Sequence, residues 1–415
     1  MRIIVMGSGV VGVTTAYSLL KDGHEVVVVE RHDGAADETS FANAGLVAPG
    51  HAYTWASPRA PSILLKSLWR QDQALRFRLS ADPALWAWTW KFLANCTAEK
   101  AALNTARKVR LCLYSQAALH EVLADTGVAY DGNGGGLLYL YRSQASYEAG
   151  VAKMRILVDQ GLPLEAVDRN RAAEIDPALA PVKDKVAGGI FAPSDESGDA
   201  RKFTQGLADW TRERGVEYRF GTSIEAIETE GDRVVGLRTD RGRLTADAYV
   251  MALGCDSARM AKPLGVRLPV YPIKGYSVTL PIDGRNNPPR LGGVDEDNLV
   301  AYAPMGERLR ITATADFAGY DKTHRPSDFR TMLAAARDLF PDAADYSRPA
   351  YWAGLRPMTP EGTPIFGRAR QRNLYFNTGH GHMGWTMSCG SARVTADLIA
   401  GRDPGVPLDG MLLAH

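Results

Sequence analysis

The sequence predicts an α/β fold in which a Rossmann-like dinucleotide-binding domain is interleaved with a second, α+β domain. A strand, glycine turn and helix open the chain, and a second strand, glycine turn and helix lie near its end. At 415 residues the chain is too long for one compact core, so about two to three domains are expected. We expect residues 1–50, 185–268 and 348–415 to form the dinucleotide domain and residues 51–184 and 269–347 the second.

The first glycine turn has the pattern of a pyrophosphate-binding loop. Residues 2–6 are typical of a buried strand, the segment Gly7-Ser8-Gly9-Val10-Val11-Gly12 follows at once, and residues 13–21 continue as a helix. Gly7 permits the tight turn, Gly9 lets backbone N–H groups approach a pyrophosphate, and Gly12 lets the helix pack on the strand. An apolar strand at 26–29 then ends in Glu30 and Arg31, where a carboxylate that accepts from ribose hydroxyls belongs. A glycine turn without a ligand is the alternative interpretation.

The second glycine turn indicates a longer ligand than a simple nicotinamide dehydrogenase needs. Residues 374–377 are predicted as a strand, Gly379, Gly381 and Gly384 as the loop, and 385–400 as a helix. Two further strands, at 217–220 and 248–253, end in glycine turns. These strand ends are expected to face one extended ligand.

Composition excludes several classes of protein. Lys and Arg number 48 against 47 Asp and Glu, a net charge of 48 − 47 = +1 with no charged tail, so nothing indicates a nucleic-acid partner. The four cysteines are scattered and support neither a disulfide framework nor a metal site. No apolar run is long enough to span a membrane. We therefore expect a cytoplasmic protein, and leave open a peripheral contact with the inner face of the cell membrane.

Five further segments carry a resemblance to a known family. These five are Glu38-Thr39-Ser40-Phe41-Ala42-Asn43-Ala44-Gly45, Tyr271-Pro272-Ile273-Lys274-Gly275-Tyr276-Ser277, Gly354-Leu355-Arg356-Pro357-Met358-Thr359-Pro360, Thr378-Gly379-His380-Gly381 and Gly384-Trp385-Thr386-Met387. The first glycine turn carries the same resemblance. In this order and over nearly the whole chain they resemble the bacterial D-amino-acid dehydrogenase small subunit, within the superfamily of D-amino-acid oxidase and glycine oxidase. His51 and the tripeptide Gly381-His382-Met383 depart from the best-known members.

The resemblance implies that the dinucleotide is non-covalently bound FAD. Ser40, Asn43, Ala44, Gly45 and Leu46 would form the loop beneath the flavin. Ile224 would meet the adenine, and Ala252 and Gly254 would flank the ribose and pyrophosphate. The loop with Gly379, His380, Gly381, Met383, Gly384 and Trp385 would direct N–H groups at the flavin pyrimidine edge, where negative charge develops on reduction.

The resemblance also implies the substrate residues. Arg356 would hold a substrate carboxylate, because arginine alone provides a planar, permanently charged fork. Its flanking prolines Pro357, Pro360 and Pro364 predict a rigid loop. Tyr276, and less strongly Tyr302, would offer a hydroxyl, with sheet packing the alternative for Tyr302. His382 and His51 are candidate wall residues, with structural roles an equal alternative.

The implied activity is hydride transfer from the Cα of a D-amino acid to flavin N5, followed by hydrolysis of the imine to a 2-oxo acid and ammonia. Electrons would leave to a quinone or another carrier. Two alternatives stay open: a secondary-amine enzyme for a proline-like or sarcosine-like substrate, and a non-catalytic FAD-binding regulatory protein. The fold does not separate them.

The rest of the chain predicts the substrate domain. Residues 61–125 have a helical pattern, and strands are expected at 137–141, 277–280, 299–303 and 309–313. One stretch combines aromatic and basic residues, which suits a membrane interface, although packing in a helical core is the favoured interpretation. Its members are Trp55, Lys66, Trp69, Arg70, Arg76, Arg78, Trp86, Trp88, Trp90 and Lys91.

Overall fold

A computed structural model describes residues 1–67, 75–77 and 80–413 of the protein. Its helices are α1 (Val10–Lys21), α2 (Ala60–Ser67), α3 (Pro83–Ala94), α4 (Ala98–Thr126), α5 (Gln144–Val158), α6 (Arg169–Ile175), α7 (Ala200–Arg212), α8 (Ser257–Ala261), α9 (Arg330–Leu339) and α10 (Gly384–Ala400). Short 3-10 turns cover Pro49–His51, Pro177–Lys185, Gly254–Asp256, Lys262–Leu264, Pro326–Phe329 and Gly381–Met383.

The described residues also form strands that assemble into four sheets. In chain order they are β1 (Arg2–Met6), β2 (Glu25–Val29), β3 (Leu46–Val47), β4 (Leu75–Phe77), β5 (Leu137–Tyr141), β6 (Glu165–Asp168), β7 (Gly188–Ala192), β8 (Glu196–Ser197), β9 (Glu217–Arg219), β10 (Ile224–Glu230), β11 (Arg233–Thr239), β12 (Gly242–Leu244), β13 (Ala248–Met251), β14 (Tyr271–Pro281), β15 (Gly292–Asp295), β16 (Val300–Met305), β17 (Arg308–Phe317), β18 (Ala350–Met358), β19 (Ile365–Arg368) and β20 (Leu374–Thr378).

The first sheet has the order β19-β20-β13-β1-β2-β9 and is parallel except at β19. Four consecutive residues of β1 and of β2 are almost fully buried, because helices cover this sheet as they do in doubly wound folds. Helix α1 packs against α10 and α7. The carboxyl ends of β1, β2, β13 and β20 therefore lie at one edge, where such folds bind their ligand.

The second large sheet has the order β18-β14-β17-β16-β15-β5-β7-β6, and β4 pairs with β17. Its core packs under α9 and the turn Pro177–Lys185, around buried side chains such as Val278, Ile311 and Phe329. Strands β10 to β12 form a separate three-stranded sheet, and β3 pairs with β8.

The predicted fold class is confirmed: a Rossmann-like sheet and a second, mixed α and β region alternate along the chain. The predicted domain boundaries remain a proposal. Strand β7 and strand β18, which those boundaries give to the dinucleotide domain, pair with β5 and β14 of the other sheet. We propose that β7 and β18 belong to the second domain, together with the strands with which they pair.

The helical pattern predicted for residues 61–125 is largely present among the described residues, with one interruption. Helices α2, α3 and α4 cover much of that range, but β4 interrupts them by pairing in parallel with β17. Trp69, Arg70 and Arg78 of the aromatic and basic stretch lie outside the described residues. Among the helices that are described, none combines the length and apolarity needed to cross a bilayer.

The glycine turn after β1 depends on close contact between backbone atoms. A methyl group on Gly12 would lie 1.9 Å from the carbonyl O of Gly7, and Gly7 itself has φ +100°. Gly7 N–H donates to the Val29 carbonyl at 2.8 Å, which ties the turn to β2. Gly12 therefore serves the helix-on-strand packing that the sequence predicts.

Replacing Gly12 with Ala is expected to lower the free energy of unfolding by about 1–3 kcal/mol, because the added methyl group overpacks the turn. Ser18→Ala, on the same helix, is the matched control and should change it by less than about 0.5 kcal/mol. Urea unfolding of the cofactor-free protein measures both. Equal stability of Gly12→Ala and Ser18→Ala would contradict the packing role.

Candidate active site

A cavity of about 1260 Å³ is lined by residues from both large sheets. An ordinary small-molecule site is roughly 300–1,000 Å³, so this one has room for a dinucleotide and a further small ligand. One end is lined by Gly7, Gly9 and Glu30, at the edge of the parallel sheet, and the other by His51, Arg356 and His382.

Most of the residues predicted to bind the dinucleotide line this cavity. They are Gly7, Gly9, Val10, Val11, Glu30, Arg31, Ser40, Asn43, Ala44, Gly45, Leu46, Ile224, Gly254, His380, Gly381, Met383, Gly384 and Trp385. Their roles toward the cofactor remain proposals.

Four predicted residues stand behind the cavity wall instead: Ser8, Gly12, Ala252 and Gly379. Ser8 is fully buried, and its N–H and Oγ donate to the Glu30 carboxylate at 2.9 and 3.0 Å, so Ser8 orients Glu30. The Ala252 carbonyl O would lie 2.8 Å from a methyl group on Gly7, and Gly379 has the turn-forming φ of +79°. These four residues shape the turns that carry the lining residues.

The predicted flavin loop is held by contacts from both sheets. Ser40 Oγ accepts from the N–H of Val10 at 3.0 Å, which joins the loop to the start of α1. From the second sheet, Arg310 donates to the Asn43 carbonyl at 3.0 Å. Gly45 has φ +70°, and a methyl group there would lie 1.9 Å from Met305 Cε. The loop is thus a fixed floor of the cavity.

An ionic cluster centred on Glu38 closes the wall near Glu30. Arg31, His32 and Lys322 all contact the Glu38 carboxylate, at 2.5, 2.8 and 2.9 Å. Burial opposes ionisation of Glu38, but hydrogen bonds from His32 and Lys322 and the Arg31 charge outweigh it and lower its pKa to about 2. Arg31 also pairs with Asp256 at 2.9 Å, so its guanidinium has two carboxylate partners.

The second glycine turn leads into a helix whose N-terminus meets the cavity. The segment Gly381–Met383 is a 3-10 turn, and α10 begins at Gly384. His380 is buried, and its Nε2 contacts Ser391 Oγ at 2.9 Å. Burial lowers the pKa of His380 to about 3, so its ring stays neutral.

Arg356 lies on β18, so the prediction of a proline-rigid loop around it was wrong. Strand β18 pairs residue for residue with β14, and Arg356 opposes Ile273. A methyl group on Gly275 would lie 2.5–2.6 Å from Cζ and both terminal nitrogens of Arg356. The guanidinium is therefore stacked face-on over the bare Cα of Gly275.

A β-bulge turns backbone toward Arg356. The β14–β17 register shifts between Lys274 and Tyr276, and opposite that shift Thr314 has φ +67°, a strained value for a β-branched residue. The Thr314 carbonyl accepts from Arg356 Nη1 at 2.8 Å. The bulge thus supplies a neutral acceptor that fixes the fork of donors.

Arg356 has no carboxylate within salt-bridge distance among the described residues. Its hydrogen bonds there go to the backbone carbonyls of Thr314 and Lys274. Burial lowers the pKa of Arg356 to about 10, which still leaves the guanidinium charged at neutral pH. A partly buried cation that faces a cavity without a counterion is suited to an anionic ligand.

The two predicted tyrosines are committed to the protein interior. The Tyr276 hydroxyl donates to Asp316 at 3.0 Å, and although the residue lines the cavity it is only 1% exposed. Tyr302 does not line the cavity and packs in the core of the large sheet, edge-on to Phe340. The alternative of sheet packing is the correct one for Tyr302.

The two predicted histidines both line the cavity. His51 ends the 3-10 turn Pro49–His51 and contacts Glu296 Oε1 through Nε2 at 2.7 Å. His382 stacks on Trp55, with ring centroids 5.0 Å apart. Burial, and then the charges of Lys108, His51 and Arg356, hold the pKa of His382 well below its usual range.

Three wall residues have no motif that could have identified them. Glu296 follows β15, and Thr314 lies within β17 without a distinctive local sequence. Lys153 projects from α5, and its Nζ lies 3.8 Å from the centroid of the Tyr53 ring. Only long-range strand and helix packing brings them to the cavity. Within the described residues, no group of three or more His, Cys, Asp and Glu side chains is placed to hold a metal ion.

Comparison with known proteins agrees with this geometry. A family model described as FAD dependent oxidoreductase (DAO) matches residues 2–398. The chain belongs to this family. A D-amino acid dehydrogenase 2 of Mesorhizobium japonicum is 48% identical over 413 residues, covering 99% of both chains. A D-amino acid dehydrogenase of Paramagnetospirillum magneticum is 47% identical over 412 residues, covering 99% of this chain and 98% of the relative.

Solved structures of the family share the fold. Glycine oxidase from Geobacillus kaustophilus superposes with a TM-score of 0.78 at 22% identity, covering 100% of this chain and 99% of the other. L-proline dehydrogenase from P. horikoshii superposes with a TM-score of 0.74 at 19% identity, covering 98% and 95%. This FAD-dependent oxidoreductase therefore has the predicted family, fold class and cofactor.

The residues present fit FAD. The cavity has room for the dinucleotide, and a methyl group on Gly9 would meet only Ser40 Oγ within 4 Å, at 3.6 Å, so bare backbone faces the cavity. We propose that Gly9, Val10 and Val11 hold the pyrophosphate, Glu30 the ribose, and residues 43–46 with the turn Gly381–Met383 the flavin.

The stacking of Arg356 on Gly275 predicts that Gly275→Ala weakens carboxylate binding, because the added methyl group displaces the guanidinium. Losing a charged hydrogen bond costs about 1.5–3 kcal/mol, so the Kd of a simple carboxylate should rise roughly tenfold to a hundredfold. Perturbation of the flavin absorbance on titration measures it. Gly134→Ala is the control, since no atom lies within 4 Å of its added methyl group. An unchanged Kd in Gly275→Ala would contradict the stacking role.

Proposed function

We propose that this FAD-dependent oxidoreductase deaminates D-amino acids oxidatively to 2-oxo acids and ammonia. Bound FAD supplies the hydride acceptor, flavin N5. The protein supplies the carboxylate anchor, the closed walls and the alignment of the substrate Cα–H bond with the flavin.

The observation that carries this proposal is the partly buried guanidinium of Arg356, which lines the cavity. It faces a cavity that continues from the dinucleotide site, and no carboxylate of the described chain neutralises it. A substrate carboxylate would complete two parallel hydrogen bonds to the fork of donors. The amino acid would then be held beside the flavin loop of residues 43–46.

A primary D-amino acid is favoured over a secondary amine by the relatives. Those that are 43–48% identical over nearly full length are named D-amino acid dehydrogenase, whereas the L-proline dehydrogenase is 19% identical. An intact carboxylate anchor speaks against a non-catalytic regulatory role. The D-amino-acid reaction is therefore the one that both the site and the relatives support.

We further propose a quinone or another carrier as electron acceptor, with a peripheral contact at the inner face of the cell membrane. Large apolar side chains are exposed on α2 and α3, namely Ile63, Leu65, Trp86 and Trp90. Lys66 and Lys91 are exposed beside them, and amphipathic surfaces of this composition suit an anionic bilayer surface. Trp88 is buried and Trp55 packs on His382, so neither contributes to this face.

Replacing Arg356 with Met should lower kcat/KM for a D-amino acid by about tenfold to several hundredfold, with little change in FAD content. Arg356→Lys should recover only part of the loss, because a point charge does not reproduce two parallel hydrogen bonds. Steady-state kinetics with the free acid and its amide give the decisive comparison.

Wild type should discriminate strongly against the amide, and Arg356→Met much less. If Arg356→Met retains the full preference for the free acid, Arg356 is not the carboxylate anchor.

The FAD is expected to be non-covalent, so acid precipitation should release it into the supernatant. Of the four cysteines, only Cys255 lines the cavity, next to Gly254, and burial raises its thiol pKa well above the usual range. Cys389 is buried in the core around α10. Yellow flavin colour that stays in the precipitated protein would contradict non-covalent binding.

An added quinone should reoxidise the reduced flavin faster than air does. The comparison is made by stopped-flow absorbance on substrate-reduced protein, with matched concentrations of the two acceptors. Reoxidation by air at an equal or higher rate would assign the protein to the oxidases instead.

A further inference from the structure

His51 and Glu296 form a histidine–carboxylate pair on the cavity wall. His51 ends the 3-10 turn that comes after the flavin loop and β3, and Glu296 follows β15, so the pair joins this segment to the second sheet. His51 Nε2 and Glu296 Oε1 are 2.7 Å apart, and both residues line the cavity. The pair is thus exposed to whatever ligand occupies the substrate end.

The His51 ring is held in one orientation from several sides. It stacks on Tyr139, with ring centroids 5.0 Å apart and planes inclined by 26°. Asp195, fully buried, accepts from the Tyr139 hydroxyl at 2.6 Å and from the Gly50 N–H at 2.9 Å. One carboxylate therefore fixes both the ring beneath His51 and the turn that carries it.

The partner of Nε2 determines where the ring carries its proton. Glu296 Oε1 lies 2.7 Å from His51 Nε2, and an ionised carboxylate can only accept a hydrogen bond. The Glu296 carboxylate is therefore an acceptor, which places a hydrogen on His51 Nε2 and leaves the Nδ1 lone pair open. In the described part of the chain, Nδ1 has no hydrogen-bond partner.

The other ionisable groups around His51 differ from it in protonation or in access to the cavity. His382 has a strongly lowered pKa, as described above, and Lys153 on α5 carries a positive charge. Burial raises the pKa of both Tyr53 and Tyr139, so their hydroxyls stay protonated. Burial raises the pKa of Asp195 to about 7, but Asp195 does not line the cavity and already accepts from the Tyr139 hydroxyl.

We propose that His51, oriented by Glu296, takes a proton from the substrate ammonium group before hydride transfer; this inference rests on the proposed function. The N–H bond breaks, the proton moves to Nδ1, and the electron pair stays on the amine nitrogen. With FAD bound, that pair would form the C=N bond while the flavin accepts the Cα hydride with its two electrons. His51 touches the substrate in this step, and Glu296 is a positioning residue that acts through His51.

His51→Gln tests the proposal, because glutamine keeps a polar side chain of similar reach but does not accept the proton. Anaerobic stopped-flow with saturating D-amino acid measures the rate constant of flavin reduction across pH. At neutral pH the variant should be about 100-fold slower or worse, the usual contribution of a positioned general base. Its rate should recover at alkaline pH, where the amino acid arrives with a neutral amine, and that recovery shows that the variant is folded.

Two further variants separate catalysis from structure. Glu296→Gln should be about tenfold slower at neutral pH, since the ring loses its fixed tautomer but keeps its base. His120→Gln is the matched control: His120 Nε2 lies 2.6 Å from Glu196 in a pair of the same chemistry, but neither residue lines the cavity. It should match wild type at every pH.

A readout independent of turnover is the ¹⁵N NMR spectrum of the ring nitrogens, with the His51 signals assigned by their absence in His51→Gln. Wild type should show the proton on Nε2, and Glu296→Gln should show a mixture of tautomers. The proposal is overturned if His51→Gln keeps the wild-type rate at neutral pH, or is slowed equally at all pH values. Failure of every D-amino acid to reduce the wild-type flavin would instead refute the proposed function itself.

Discussion

The substrate end of the cavity depends on one constraint: the positive charge of Arg356 is partly buried, and among the described residues its hydrogen bonds go only to backbone carbonyls. An isolated buried ion is costly, so its surroundings must compensate it or a ligand must. Here the Thr314 carbonyl accepts from Arg356, and the bare Cα of Gly275 leaves room for the guanidinium to lie flat. Neither partner neutralises the charge. We propose that the strained bulge at Thr314 and the bare Cα of Gly275 keep an anion site preformed around Arg356, with no carboxylate of the described chain occupying it.

The flavin loop shows how the two sheets form one site. Ser40 binds the first turn of α1, and Arg310, from the second sheet, binds the Asn43 carbonyl. Displacing either sheet would therefore move the loop that separates cofactor from substrate. The Glu38 cluster does the same at the other end, since Arg31 belongs to the first sheet's edge and Lys322 to the segment after β17. Under the proposed function, alignment of the Cα–H bond with the flavin would depend on these tertiary contacts as well as on Arg356.

Local chemistry explains which features the sequence could predict. The turn at Gly7 to Gly12 needs glycine because backbone atoms come within van der Waals contact, so its pattern specifies its structure wherever it occurs. Arg356 was identified by family resemblance, but its proline neighbours suggested a loop, because strand pairing with β14 leaves no mark in the local sequence. Tyr276 lines the cavity, but its hydroxyl donates to Asp316, a partner 40 residues away, and no local pattern predicts that contact. Glu296 and Lys153 reach the wall only through packing of distant elements, and no spacing rule could have selected them.

The most direct test of the account is a panel of D- and L-amino acids, D-proline, L-proline and sarcosine, mixed without oxygen with the purified protein while flavin absorbance is followed. We expect primary D-amino acids to bleach the flavin, and their L-enantiomers and the secondary amines to do so far more slowly. Rapid bleaching by L-proline or sarcosine, with none by any primary D-amino acid, would contradict the proposed substrate class while leaving the FAD-dependent fold intact.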